Sequence, residues 1–185
     1  MRFKICVTGA AEGSILTNSV LEKARIIGEE IAKADCVLLT GATKGIPHHT
    51  AIGAKKADGI SIGFSPAISR LEHERKYRLP TQYTDLIVYT GFGYSGRNLL
   101  MVRSSEAVIV VGGRIGTLNE FTNAFEEGKP IGVLLDSGGI SSIIPSILEV
   151  ADKKAEDIII FDTDPKELVK KIVSHLEKEH HSGNL

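Results

Sequence analysis

Tryptophan is absent from these 185 residues, aromatic residues make up 5%, and neither sign of charge prevails, with 22 Lys and Arg against 23 Asp and Glu. Without a basic excess there is no field of the kind that general nucleic-acid binding requires, so no nucleic-acid partner is expected. No apolar run approaches the roughly 18 to 20 residues of a membrane span. The opening MRFKICVTGA reads as a strand entering a glycine turn, without the apolar core of a signal peptide. A cytoplasmic protein with no membrane partner is therefore expected. The two cysteines, Cys6 and Cys36, lie in the apolar runs ICV and CVLL without C-x-x-C spacing, as buried thiols do. No metal site and no resident cofactor are expected, and His48 and His49 read as the opening of a helix.

Several catalytic signatures are also missing. The first glycine turn lacks G-x-G-x-x-G, and no G-x-x-x-x-G-K-[ST], G-x-S-x-G or H-E-x-x-H occurs. Dinucleotide-dependent hydride transfer, P-loop ATP hydrolysis, and serine or zinc hydrolysis all lose their usual carriers.

What is present is alternation. Short β-branched runs at 3–8, 36–39, 60–63, 86–89, 107–111, 131–134 and 158–161 read as strands apolar on both faces. Helical periods fall between them at 19–33, 50–57, 97–104, 118–127, 143–150 and 165–178, the last opened by Asp164-Pro165, an N-cap followed by Pro at the first helical position. The pattern predicts an α/β, Rossmann-like three-layer fold, with a mostly parallel sheet of about seven strands and helices on both faces. Residues 1–179 read as a single domain and 180–185 as a polar, frayed tail. The charged stretch 65–84 is longer than α/β connections usually are; it is either a solvated excursion with a turn of helix or a functional segment.

Ligands of open parallel sheets bind beyond the carboxyl ends of the strands. Four of those loops are glycine-bearing: GAAEGS from Gly9 to Ser14, GATKG from Gly41, GFGYSG from Gly91, and GGRIGT from Gly112 to Thr117. The last is the most informative, because it joins the run AVIVV to a helix whose first N–H groups would favour an anion. Thr117 and Glu120 also have the Thr-x-x-Glu spacing of a capping box, so a purely structural role stays open.

The segment GRNLLMVRSSEAVIVVGGRIGTLNE, 96–120, resembles the Lonely Guy family, often filed as possible lysine decarboxylases, whose motif is P-G-G-x-G-T-x-x-E. Gly113, Gly116, Thr117 and Glu120 match it, Arg97 falls on the family's motif arginine and Met101 on its methionine. The literal H-E-R-K at His73–Lys76 lies about 40 residues upstream and is out of place. The chain departs from the motif at Gly112 and Arg114, and Asn98 stands where a lysine follows the arginine. These departures look closer to the molybdenum-cofactor carriers and uncharacterised members of the superfamily.

The resemblance implies hydrolysis of the N-glycosidic bond of a nucleoside 5′-monophosphate. Glu120 would stabilise an oxocarbenium-like transition state and Arg97 would orient substrate. Gly112, Gly113, Arg114, Gly116 and Thr117 would hold the phosphate, with Ser14 and Gly41 on the opposite wall. The alternative is a carrier or sensor that binds a nucleotide or a phosphate-bearing pterin without turnover. Either way the resemblance implies a small-molecule partner and a homodimer or higher homo-oligomer. Lysine decarboxylation is rejected, since no pyridoxal phosphate site is evident.

Overall fold

The computed structural model describes residues 1–151 and 158–182. Among these, seven parallel strands form one sheet: β1 Lys4–Gly9, β2 Val37–Thr40, β3 Ile60–Ser65, β4 Leu86–Tyr89, β5 Ala107–Val111, β6 Ile131–Leu134 and β7 Ile159–Asp162. Their order across the sheet is β4-β3-β2-β1-β5-β6-β7. The direction of winding reverses between β1 and β5, where Ile5 pairs with Ala107 and Gly9 with Val111. A crevice must open there, because the loops leaving the two strands diverge to opposite sides.

Side-chain alternation splits the core into two layers. Ile5, Val7, Ile109 and Val111 face helices α1 (Asn18–Lys33), α2 (Ile46–Lys56) and α7 (Pro165–Ser182). Cys6, Val108 and Val110 face α4 (Gly93–Arg103), α5 (Ile115–Glu126) and α6 (Ile144–Ala151). The expected three-layer α/β architecture is therefore present. Burial pushes the Cys6 thiol well above its ordinary range, with Glu120 adding to it, and the Cys36 thiol is pushed up to about 11. Helices α1 and α2 touch through glycine: a Cβ at Gly28 would run into the Thr50 carbonyl, and one at Gly53 into the Arg25 carbonyl.

Helix boundaries follow local chemistry. Thr17 Oγ1 accepts the Val20 N–H to cap α1, and Asp164 Oδ1 accepts the Lys166 and Glu167 N–H groups at the start of α7. Helix α7 runs through His180 and His181 to Ser182, past the position where the polar tail was expected to begin, and residues 183–185 lie outside the described ones. In the stretch 65–84 the structure contains a short helix, α3 (Arg70–Arg75), capped by Ser69 Oγ on the Glu72 N–H while Glu72 Oε2 accepts the Ile68 N–H. Among the described residues no helix is long and apolar enough to cross a membrane.

Candidate functional site

The crevice at the β1/β5 reversal encloses about 380 Å³, within the roughly 300–1,000 Å³ of typical small-molecule sites. Its floor is Thr8 at the end of β1, with Glu120 from α5 and Arg97 from α4 beside it. Strand β1 supplies Thr8 because odd positions point to the α1 layer and even ones to the α4/α5 layer. At the strand's last turn outward, an even position faces the crevice instead of core.

Glu120 is buried, and Thr8 Oγ–H donates to its Oε2. Burial raises its carboxyl above the ordinary value, against a smaller opposite pull from the Arg97 charge and the Thr8 hydroxyl. Arg97 is 4% exposed. Its Nη1 donates to the Phe64 carbonyl at 3.2 Å, its guanidinium carbon lies 5.8 Å from the centre of the Tyr94 ring, and its buried Nε has no partner. Burial pulls the guanidinium below its ordinary value and Glu120 opposes that; an arginine nevertheless stays charged in a protein. Arg97 and Glu120 share the crevice without direct ion-pair contact among the described residues, and burial disfavours the ionised form of Glu120, so the cation is incompletely neutralised from within the chain. An incoming anion would relieve that imbalance.

Gly41 explains how the arginine fits. A Cβ at Gly41 would occupy the space of the Arg97 guanidinium, so the loop after β2 uses glycine here for close approach. Asn98, also buried, donates from Nδ2 to Asn119 Oδ1 at 3.0 Å and tethers α4 to α5, while its own Oδ1 has no partner.

Of the residues singled out by sequence, Gly41, Arg97, Arg114, Gly116, Thr117 and Glu120 line the crevice together. Three others stand apart. Ser14 is exposed and does not border it. Gly112 and Gly113 take φ +56° and +100°, and the Gly112 N–H and both carbonyls are engaged behind the loop. The Gly112 N–H donates to Ser137 Oγ at 2.7 Å, its carbonyl accepts from Ser141, and the Gly113 carbonyl accepts the Ile140 N–H at 3.1 Å. These glycines build the turn that presents α5. The capping-box alternative also differs from what is seen, because Arg114 occupies the N-cap, so Thr117 is inside the first turn and Glu120 bonds to Thr8. Arg114 itself reaches over Gly13 to Glu12, Nη2 to Oε1 3.2 Å, at the exposed rim.

Sequence reasoning passed over Thr8, Tyr77, Leu79 and Tyr94, all of which line the crevice. One signal was available for the tyrosines: with no tryptophan in the chain, all four tyrosines fall between residues 77 and 94. The literal H-E-R-K histidine, His73, is fully buried and does not line the crevice.

Residues 2–169 match the model of the SLOG cluster4 family. An uncharacterised protein of Archaeoglobus fulgidus is 34% identical over 131 residues, 71% of this chain and 79% of that one. Among solved structures, the chain is similar to the molybdenum cofactor binding protein of Rippkaea orientalis, with 28% identity, a TM-score of 0.79, and coverage of 95% of this chain and 98% of that one. It is also similar to the molybdenum cofactor carrier protein of Chlamydomonas reinhardtii, at 25% identity and a TM-score of 0.76, covering 95% and 99%.

Proposed function

The chain belongs to the SLOG cluster4 family, in the superfamily of the Lonely Guy-like proteins that its glycine loop resembles, and from that premise we propose that it is a carrier. Its cargo is a phosphate-bearing planar compound of the molybdenum-cofactor class, bound between β1 and β5 and released unchanged. The observation that carries this reading is the charge inventory of the crevice. Arg97, Lys44 and Arg114 border it, whereas its acidic groups are Glu12, exposed and paired to Arg114, and Glu120, whose ionised form is disfavoured by burial. Such a lining attracts an anion. It supplies one interior carboxyl, where glycoside hydrolysis ordinarily divides acid and base or nucleophile between two. The similarity to two molybdenum-cofactor-binding proteins over nearly their whole length supports the same reading.

A second reading, hydrolysis of a nucleoside 5′-monophosphate, has one specific observation in its favour. Arg97 and Glu120 do share the crevice, and a carboxyl with a raised pKa retains a proton to donate. Incubation with AMP and, separately, with a pterin phosphate separates the two, following thermal stability and free base together. A carrier is stabilised by the pterin phosphate with no base released from AMP. Base release that disappears in Glu120→Gln would overturn the carrier reading.

The assembly is read from the surface. Ile68, Leu71, Leu86, Phe92, Leu99 and Leu100 are exposed along β4 and its flanking helices, a band of the kind that subunit contacts cover. A homo-oligomer follows from this reading, and a solution mass equal to the 19.9 kDa chain would refute it.

A further inference from the structure

The excursion between β3 and β4 is fixed at a few specific points. His73 is held at both ring nitrogens: Ser65 Oγ lies 2.8 Å from Nδ1, and Nε2 lies 3.0 Å from the Pro80 carbonyl. A carbonyl only accepts, so Nε2–H donates to Pro80, and Nδ1 shares the second hydrogen bond with the Ser65 hydroxyl. His73 thus acts as a clasp between the end of β3 and the segment leaving α3. Two backbone bonds tighten the same return, Tyr77 N–H to the Glu72 carbonyl and Leu79 N–H to the His73 carbonyl, each 3.1 Å. Between them Arg78 takes φ +54°, the left-handed region that reverses the chain. Arg78 is left exposed, while Tyr77 and Leu79 both border the crevice.

Tyr77 meets Tyr94 of α4 edge to face, with ring centres 5.6 Å apart and an interplanar angle of 87°. Arg97, one turn further along α4, packs against the Tyr94 ring. Two of the chain's four tyrosines therefore stand in one cleft, beside a buried cation.

We propose that Tyr77 and Tyr94 form the recognition surface for a planar heteroaromatic ring, and that this surface selects for the ring's flatness and not for the pattern of groups on its edge. The inference rests on the reading that the crevice takes a phosphate-bearing ligand, and it assigns the part of that ligand the cations do not hold. Aromatic faces accept any heteroaromatic ring with little regard to its edge. Of the atoms that could read an edge, Arg97 Nη1 is engaged with Phe64 and Asn98 Nδ2 with Asn119, whereas Arg97 Nε and Asn98 Oδ1 have no partner, so the selection for flatness is assigned to the tyrosine faces alone. The His73 clasp then has a function, which is to hold Tyr77 against the cleft.

The test uses the full chain and its own tyrosine emission, which no tryptophan masks. AMP, GMP and ribose 5-phosphate are titrated into wild type, Tyr77→Ala and Tyr77→Phe, with thermal melting to establish that each variant is folded. AMP and GMP should quench emission and bind within about threefold of each other, and ribose 5-phosphate should bind about tenfold more weakly. Tyr77→Ala should weaken AMP about tenfold without changing ribose 5-phosphate, and Tyr77→Phe should bind like wild type. A folded Tyr77→Ala that binds AMP as wild type does, or a preference of roughly a hundredfold between AMP and GMP, overturns the proposal. Binding of ribose 5-phosphate as tight as that of AMP overturns it too, while leaving the anion site in place. If wild type binds none of the three and is not stabilised by a pterin phosphate either, the phosphate-ligand reading fails and the proposal falls with it; if it binds the pterin phosphate alone, that reading stands and selection by flatness is overturned.

Discussion

On one side of the crevice the β5–α5 loop takes its shape from backbone, through Gly112 and Gly113 in left-handed conformations and a hydrogen-bonded turn at 137–141 behind them. On the other, the β3–β4 excursion takes its shape from side chains, through His73 bridging Ser65 and Pro80. The first wall presents helix N–H groups and a rim cation, and the second presents aromatic rings. A wall made by backbone conformation tolerates almost no substitution at its glycines, whereas a wall made by a clasp can be loosened in steps. On the proposed reading the two walls divide the labour, with rigid dipoles for an anion and an adjustable surface for a flat ring.

The largest expected effect tests the backbone wall. Gly113→Ala puts a Cβ where φ is +100° and where Thr117 already stands, so about 3 kcal/mol of stability should be lost, measured by urea unfolding. A loss near zero would mean that the loop is not fixed by its glycines. The matching change opposite, His73→Ala, empties a fully buried site and leaves the Pro80 carbonyl without its donor. It should cost about 2 kcal/mol and weaken ring-bearing ligands more than ribose 5-phosphate. Equal weakening of both would show that the two walls are not independent.

A third prediction concerns the floor where the walls meet. Burial raises the Glu120 carboxyl, with Arg97 and the Thr8 hydroxyl pulling the other way, so the folded protein holds this proton more tightly than the unfolded chain does. The stability from that group is complete below the ordinary carboxylate value of 4.5 and is lost as the pH rises through the raised folded value. Glu120→Gln should therefore melt above wild type at pH 8, and the gap should close toward pH 4. A variant less stable than wild type at every pH would make Glu120 a structural acceptor for Thr8 and nothing more.

The contrast between the walls also explains what the sequence disclosed. Strand runs such as 107–111 and 131–134 were legible to the residue, because a strand covered on both faces is apolar throughout. Gly41, Arg97, Thr117 and Glu120 were singled out by the resemblance of their segments to the Lonely Guy family, and the structure brings the four to one crevice. The surroundings of Gly112 and Gly113 were not legible, since a positive φ serves a turn and a ligand cradle alike, and the bonds to Ser137 and Ile140 behind the loop have no periodicity to disclose them. Tyr77 was hidden for another reason. It sits among Arg70, Glu72, Glu74, Arg75 and Lys76, so a residue that borders the crevice reads as part of a solvated charge run. What brings it inward is a histidine bonding to a carbonyl seven residues away, a contact without periodicity. The α3 boundaries were missed because six residues do not establish a helical period.

The smallest expected effect on stability falls at the rim. Arg114 caps no helix through its side chain and pairs with Glu12 in the open, where 57% and 77% of the two side chains are exposed. Solvent and salt screen such a pair, so Arg114→Ala should change unfolding free energy by no more than about 0.5 kcal/mol. Binding should respond differently, because the guanidinium borders the crevice and an arriving phosphate would compete for it with Glu12. AMP and ribose 5-phosphate should then weaken by the same few-fold factor, and the weakening should shrink as salt is raised, since the lost term is a screened charge. Weakening of AMP alone would place the ring against Arg114, which would move ring recognition to the glycine wall. Glu12→Gln is the complementary change: freeing Arg114 from its partner should tighten both ligands at low salt, again equally.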